Sequence, residues 1–297
     1  MSYRYAILTA QEALGFDAMT FPAYRKVLGG ECVAAGAWFG GQPCGLALCA
    51  QGRAPTEAEL LSLFVAPLHR LGGVGASLLA LAETFLLAGG MDGVHATWTE
   101  SMPGAAPFER VLAKRGWSKP RKRLLLLRER LDGPFGREFR KRADSFRSLR
   151  TTPRGCELSR WADLTPNDLA FIRSREGCPG WYSPPANPLR EQHLIAPELS
   201  PVLRRHGEIA GWITVHRIAR ETVRMTDVFV RTDILRSTGL AADLIVRTID
   251  RLVWTRIPNL TWGIEHDNAP LRDLCIRRLG DIAALAWSMG SHKTLCL

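Results

Sequence analysis

"VAPLHRLGGVGASLLALAE", residues 65–83, leaves an apolar run, passes three glycines and enters a segment patterned as a helix. Upstream, Leu60, Leu61, Leu63, Phe64 and Val65 suit a strand buried on both faces. Downstream, Leu78, Leu79, Leu81 and Ala82 with Phe85 and Leu86 recur at helical spacing around Glu83 and Thr84. The order is strand, glycine turn, helix. The first turn of a helix carries unpaired N–H groups and the positive end of the dipole, so bare backbone there suits an anion such as a phosphate. A tight turn in an ordinary α/β unit accounts for the same glycines.

Two phosphate-binding patterns are excluded. No Gly-Lys-Ser/Thr closes the turn, and the spacing departs from Gly-x-Gly-x-x-Gly directly after the strand. What stands here is Arg70-x-x-Gly73-x-Gly75, five residues beyond Val65. It resembles the acyl-coenzyme A signature of the GNAT superfamily of N-acetyltransferases, Arg/Gln-x-x-Gly-x-Gly/Ala, which in that family joins the fourth strand to the third helix.

Composition is that of a globular protein: 297 residues, 46% hydrophobic and 23% charged. No N-terminal signal pattern and no apolar run of about 20 residues is visible, so a soluble, cytoplasmic protein with no membrane partner is expected. Seven cysteines without a Cys-x-x-Cys pair argue against a disulfide framework and a structural zinc site. The histidines are scattered, and no metal is expected. Of the net charge of +10, essentially all lies between Lys114 and Arg154, where fifteen Lys or Arg face four acids. Such a strip can draw nucleic acid, but a charge run is more often a solvated face, and nucleic acid is not favoured as a partner.

The decisive observation is an internal repeat. "VFVRTDILRSTGLAADLIVRTI", residues 228–249, answers the opening stretch, with Arg236-x-x-Gly239-x-Ala241 lying 166 residues after Arg70-x-x-Gly73-x-Gly75. "FERVLAKRGW" is answered by "LRDLCIRRLG", with Gly116 and Gly280 separated by 164 residues; each is expected to be an amphipathic helix ending in a left-handed glycine cap. Ahead of each motif stands a hairpin pattern, turning at Gly40-Gly41 and near His206-Gly207. Each lobe thus reads hairpin, strand, glycine turn, helix, strand, helix, glycine, strand.

The whole therefore resembles a tandem GNAT protein. The expected fold is α/β with a mixed sheet: a GNAT-like domain over residues 1–130, a basic linker over 131–154 and a second GNAT-like domain over 155–297. The resemblance implies mostly antiparallel twisted sheets flanked by helices, each with a splayed central strand pair. Phe139, Phe146 and Leu149 in the linker fit a short amphipathic helix.

The resemblance also implies acyl transfer from acetyl-coenzyme A to an amine of a small molecule or peptide, by direct attack in a ternary complex. Backbone groups near Phe64 and Val65 would hold the pantetheine. Arg70 and the N–H groups of Leu71, Gly72, Gly73, Val74, Gly75 and Ala76 would receive the pyrophosphate. In the second lobe Arg236, Gly239, Ala241 and Asn268 stand at the corresponding places. A protonated alkyl amine, with a pKa of about 10.4, needs a base; the candidates are Glu59 and Glu100 in the first lobe and Asp227 and Glu265 in the second.

Many members carry a tyrosine four residues before the helix-ending glycine; here those positions hold Leu112 and Ile276. The first lobe lacks the Asn that often follows the fifth strand. The second keeps Asn268 but has an extra residue between Val230 and Arg236, which favours the first lobe for coenzyme A. Two other readings keep the fold: an aminoacyl-tRNA-dependent transferase, which would not need the intact first turn, and a non-catalytic coenzyme A-binding regulator. Trp181-Tyr182 fits either the lining of an acceptor pocket or packing at a Pro-rich turn.

Overall fold

The structure, a computed structural model, describes residues 2–52, 54–148, 155–234, 240–255 and 257–296. In chain order the first half forms β1 (Tyr3–Ile7), α1 (Ala10–Leu14), β2 (Cys32–Phe39), β3 (Gln42–Gln51), β4 (Glu57–Val65), α2 (Val74–Ala88), β5 (Gly93–Thr99), α3 (Ala105–Lys114) and β6 (Arg121–Arg130). The second half forms α4 (Pro134–Ser148), β7 (Cys156–Arg160), α5 (Pro166–Ser174), β8 (Pro201–Arg205), β9 (Glu208–Ala219), β10 (Thr222–Val230), α6 (Leu240–Val253), β11 (Asn259–Glu265), α7 (Ala269–Leu279) and β12 (Leu285–Thr294). Two compact units result: Met1–Arg123 with Trp287–Leu297, and Leu124–Ala286.

In the first unit β1, β2, β3 and β4 pair antiparallel in sequence order. β5 then joins β4 in parallel, and β12 closes the series antiparallel to β5. The second unit repeats the scheme: β7, β8, β9 and β10 are antiparallel, β11 is parallel to β10, and β6 is antiparallel to β11. The repeat read from the sequence is thus a repeat of topology. The last strand of each scheme differs from the lobes read in the sequence, where each kept the strand after its own third helix. β6 follows α3 yet pairs β11, and β12 follows α7 yet pairs β5. A strand pattern specifies which face is apolar, not which edge it will join.

The first core forms where α2 lays Leu78, Leu79 and Ala82 against Ala47, Cys49 and Leu60, with Leu112 of α3 alongside. The opposite sheet face is covered from the α1 side by Ala13 and Phe16 against Trp38, Leu46 and Leu48. At roughly 2 kcal/mol for each fully buried large apolar side chain, these layers supply the main stabilisation of the unit. Glu83 of α2 lies 4% exposed among them. Its carboxylate accepts from Arg115 (2.6 Å), from the Trp117 indole (2.8 Å) and from Lys293 of β12 (2.7 Å), which answers the cost of burying a charge.

The two glycine-ended helices stop differently. After α3, Gly116 has φ +77° and the Trp117 N–H reaches back to the Leu112 carbonyl (3.1 Å), the expected left-handed cap. Gly280 after α7 instead stays right-handed at φ −62°. There a Cβ would stand 2.4 Å from the Ile276 carbonyl oxygen, so the glycine answers a lack of space rather than a handedness.

The basic linker stretch contains α4, which packs on α6 and buries Phe135 and Phe139. Leu149 lies outside the described residues. Among the described residues no helix is long and apolar enough to cross a membrane. Nor is any group of three His, Cys, Asp or Glu side chains gathered so as to hold a metal.

Candidate active site

β4 and β5 pair over four positions only, from Glu57↔Gly93 to Leu60↔Ala96. Beyond Leu60, β4 runs on to Val65 paired with β3, while Thr97–Thr99 of β5 pair with β12, so the two central strands part. At the point of parting Leu61 is a bulge: Leu48 faces Ser62, and its neighbour Cys49 already faces Leu60. At the far end of β4 the Ala66 N–H is held by the Cys44 carbonyl (2.9 Å), and Arg70 Nε donates to the Val65 carbonyl (2.9 Å).

The segment after β4 makes a short 3-10 turn over Pro67–His69 and then takes Leu71 (φ 65°) and Gly73 (φ 83°) into the left-handed region before α2 begins. No side chain caps α2, and no acid stands in its first turn. The first intrahelical bond is donated by Ser77 to the Gly73 carbonyl (3.0 Å), which leaves the N–H groups of Val74, Gly75 and Ala76 ahead of the ladder. A Cβ on Gly73 would meet nothing within 4 Å, and one on Gly72 or Gly75 would make only ordinary contacts at 3.6 Å or more. Protein packing therefore does not require Gly72 or Gly75, and Gly73 owes its identity to φ alone. The turn thus joins backbone N–H groups that no side chain caps to open space beside Gly73. Beside it the Tyr3 hydroxyl lies 3.2 Å from His69 Nδ1.

The first-lobe carboxylates have different surroundings. Glu59 is half-buried on β4 at the third of the four β4–β5 pairs, opposite His95, with 3.9 Å between Oε2 and His95 Nε2. Glu100 lies just past β5. Its N–H and carboxylate bind the Trp287 carbonyl (2.9 Å) and N–H (2.8 Å), which ties it to β12.

In the second unit β10 and β11 also pair over four positions, from Thr222↔Asn259 to Met225↔Trp262. The third pair, matching Glu59–His95, is Arg224–Thr261. The sequence reading placed Asp227 on the matching strand; register sets it three residues further on, matching Ser62. Asp227 sits in a bulge of β10. Its N–H donates to Thr214 Oγ1 (3.1 Å), whose hydroxyl donates to Asp227 Oδ2 (2.9 Å). Burial pushes its carboxyl above the usual range, outweighing the Thr214 bond and the Arg224 charge.

The adjoining polar cluster carried no signal in the sequence. His216 is 2% exposed, with Nδ1 3.2 Å from Glu191 Oε2 and 3.0 Å from Thr226 Oγ1, and Arg224 is bonded to the same Glu191 carboxylate. Burial, helped by Arg224, lowers the His216 pKa against the opposing pull of Glu191. Glu265 is exposed at the end of β11, and Ala241 lies in the first turn of α6. Asn268 is the N-cap of α7, accepting from the Leu271 N–H (3.3 Å). Arg236 and Gly239 lie outside the described residues.

Residues 7–112 match the model of the acetyltransferase (GNAT) family. Solved structures extend the likeness to the whole chain. A tandem GNAT protein from the clavulanic acid biosynthesis pathway is 17% identical with a TM-score of 0.63, covering 100% of this chain and 99% of that one. A GCN5-related N-acetyltransferase from Sphaerobacter thermophilus is 16% identical with a TM-score of 0.65, covering 99% and 96%. The first lobe matches the GNAT family in sequence over residues 7–112, and the whole chain has the fold of tandem GNAT proteins. A glucosamine N-acetyltransferase region of a fungal multi-domain GH3 beta-N-acetylglucosaminidase shares the fold at 12% identity, TM-score 0.61, over 98% of this chain and 38% of that one. No curated protein matches by sequence.

The chain departs from the GNAT pattern where the sequence indicated. Leu112 is buried in the first core and Ile276 is half-exposed on α7, so neither tyrosine position offers a proton. Tyr182 is buried and donates to the Ile172 carbonyl (2.7 Å), a packing role, whereas Trp181 borders a cavity. Part of the basic strip is neutralised within the second unit: Arg142 binds Asp281 (2.7 Å) and Arg130 binds Asp132 (2.7 Å).

Proposed function

We propose that the first lobe is an acyl-coenzyme A-dependent N-acyltransferase site, moving acetyl from acetyl-coenzyme A to an amine of a small molecule or peptide. The observation that carries this reading is the parting of β4 from β5 after Leu60, beside an α2 start without a side-chain cap. The residues present fit the donor. Phe64 and Val65 form the β4 edge beyond the parting, which suits the amides of a pantetheine arm. The N–H groups from Leu71 to Ala76 suit a pyrophosphate, and Arg70, tied to the Val65 carbonyl, holds a positive charge at the turn. The donor supplies an activated thioester. The chain supplies position and a base: Glu59, one pair short of the parting, accepts the amine proton directly or through water.

Leu112 offers no proton where many relatives hold a tyrosine. A thiol ionises near pKa 8.5, so transfer without a protein acid remains chemically open. In the second lobe Arg224 stands at the register position of Glu59, a cation where an amine-activating base would be needed. This supports the first lobe as the reacting one, with Asp227 and Glu265 outside the chemistry. Seven free cysteines agree with a reducing, cytoplasmic setting. Titrating acetyl-coenzyme A by calorimetry and then following amine-dependent release of free thiol tests the reading. Saturable binding with thiol release is expected. Donor binding without release on any amine would support the regulatory reading, and binding of aminoacyl-tRNA in place of the donor would support the third.

A further inference from the structure

The second unit contains an open, cleft-like cavity of about 310 Å³ between α5, the Pro-rich turn after it and the chain leaving β10. Trp181 lines it, stacked on the partly buried Phe229 (5.7 Å between centroids, 27° between planes) and meeting Phe171 edge-on (5.5 Å). Two guanidinium groups flank it: Arg175, 4.7 Å from the Phe171 ring centroid and 5.8 Å from that of Trp181, and Arg231, 5.9 Å from Trp181. They are not equivalent. Arg231 is already bound to Asp233 through Nε (2.7 Å) and a second nitrogen (3.1 Å). Among the described residues Arg175 has ring contacts and no carboxylate partner.

We propose that this cavity binds a small flat aromatic monocarboxylate, its ring against Trp181 and its carboxylate on Arg175. Three observations carry it. The volume lies at the lower end of small-molecule sites, ample for one or two fused rings. Trp181 and Phe171 both line the site, so an aromatic ring gains contacts there that an aliphatic acid cannot match equally. An unpaired guanidinium held by two rings is preorganised, and its planar fork matches a carboxylate. The Glu208 and Asp233 carboxylates on the same wall set the charge limit, disfavouring a dianion such as an aryl phosphate. All residues of the site belong to the second unit.

Calorimetric titration of the full chain with benzoate tests the proposal, with benzyl alcohol, cyclohexanecarboxylate and phenyl phosphate as comparisons. Saturable benzoate binding is expected, at least about tenfold tighter than any of the three, and weakened about tenfold or more by Arg175→Gln and by Trp181→Leu. Arg175 is exposed, so Arg175→Gln decides the matter if Trp181→Leu fails to fold. Absence of saturable benzoate binding up to about 10 mM, binding indifferent to Arg175→Gln, or equal binding of the uncharged ring would overturn it. Tighter binding of phenyl phosphate would overturn the carboxylate assignment.

Discussion

Glu59 is one pair short of the point where β4 leaves β5, half-buried and 3.9 Å from His95, a placement that suits a base acting at the parting. Glu59→Gln keeps the shape and removes the charge. Donor affinity should stay within about twofold while turnover falls roughly 10² to 10⁴-fold, with partial rescue as pH rises towards the pKa of the amine. Rates equal to wild type, measured at pH 7 and at pH 9.5, would remove Glu59 from the mechanism. A second residue-scale expectation concerns Asp168, which two hydrogen bonds from Arg204 (2.9 and 3.0 Å), helped by Thr165, hold down from 3.8 to about 2. A depressed carboxyl contributes stability that is complete above its ordinary value and lost as pH falls through the folded one. Arg204→Met should therefore cost the second unit about 1–2 kcal/mol at pH 7, and the gap should shrink by roughly half at pH 3. Urea midpoints of both proteins at the two pH values check the sign. A gap that widens on acidification would refute it.

At the scale of the element, the start of α2 separates conformation from ligand binding. Gly73 has φ +83° and open space where a Cβ would go, so Gly73→Ala should cost only the left-handed strain, about 1 kcal/mol of stability. Gly73→Glu carries the same strain and adds a carboxylate beside the free N–H groups. Acetyl-coenzyme A should bind it at least about tenfold more weakly than the alanine variant. Equal affinities for the two variants, by calorimetry, would mean that the turn does not hold the pyrophosphate. Element identity was legible in the sequence because periodicity is local: the strand, turn and helix of residues 57–88 and both hairpins stand as read. The end of α7 was not, because Gly280 answers a close approach to the Ile276 carbonyl rather than the handedness that Gly116 adopts.

For the whole molecule, β12 gives a C-terminal deletion an effect in the N-terminal unit. Removing residues 287–297 uncovers β5 over seven paired positions and takes Lys293 from the buried Glu83 carboxylate, leaving it Arg115 and Trp117. The first unit should lose at least about 3 kcal/mol, seen as faster amide exchange in α2 and β5, while β8 to β10 keep their protection. Unchanged exchange in α2 would show that β12 is dispensable. By the same reasoning a fragment ending at residue 130 lacks a strand that its unit uses.

By itself the sequence determined the strand–turn–helix stretch, the repeat, the family resemblance and the missing tyrosines, because each rests on residues close together in the chain or on identity at a position. Tertiary structure alone decided which edge β6 and β12 join, that Arg224 rather than Asp227 matches Glu59, and that Glu100 is tied to Trp287. It also gathered His216, Glu191 and Arg224, and set Arg175 beside Trp181. Pairing and register depend on contacts between distant segments, and a side chain's chemistry depends on the neighbours and burial those contacts bring. Neither is encoded in local spacing.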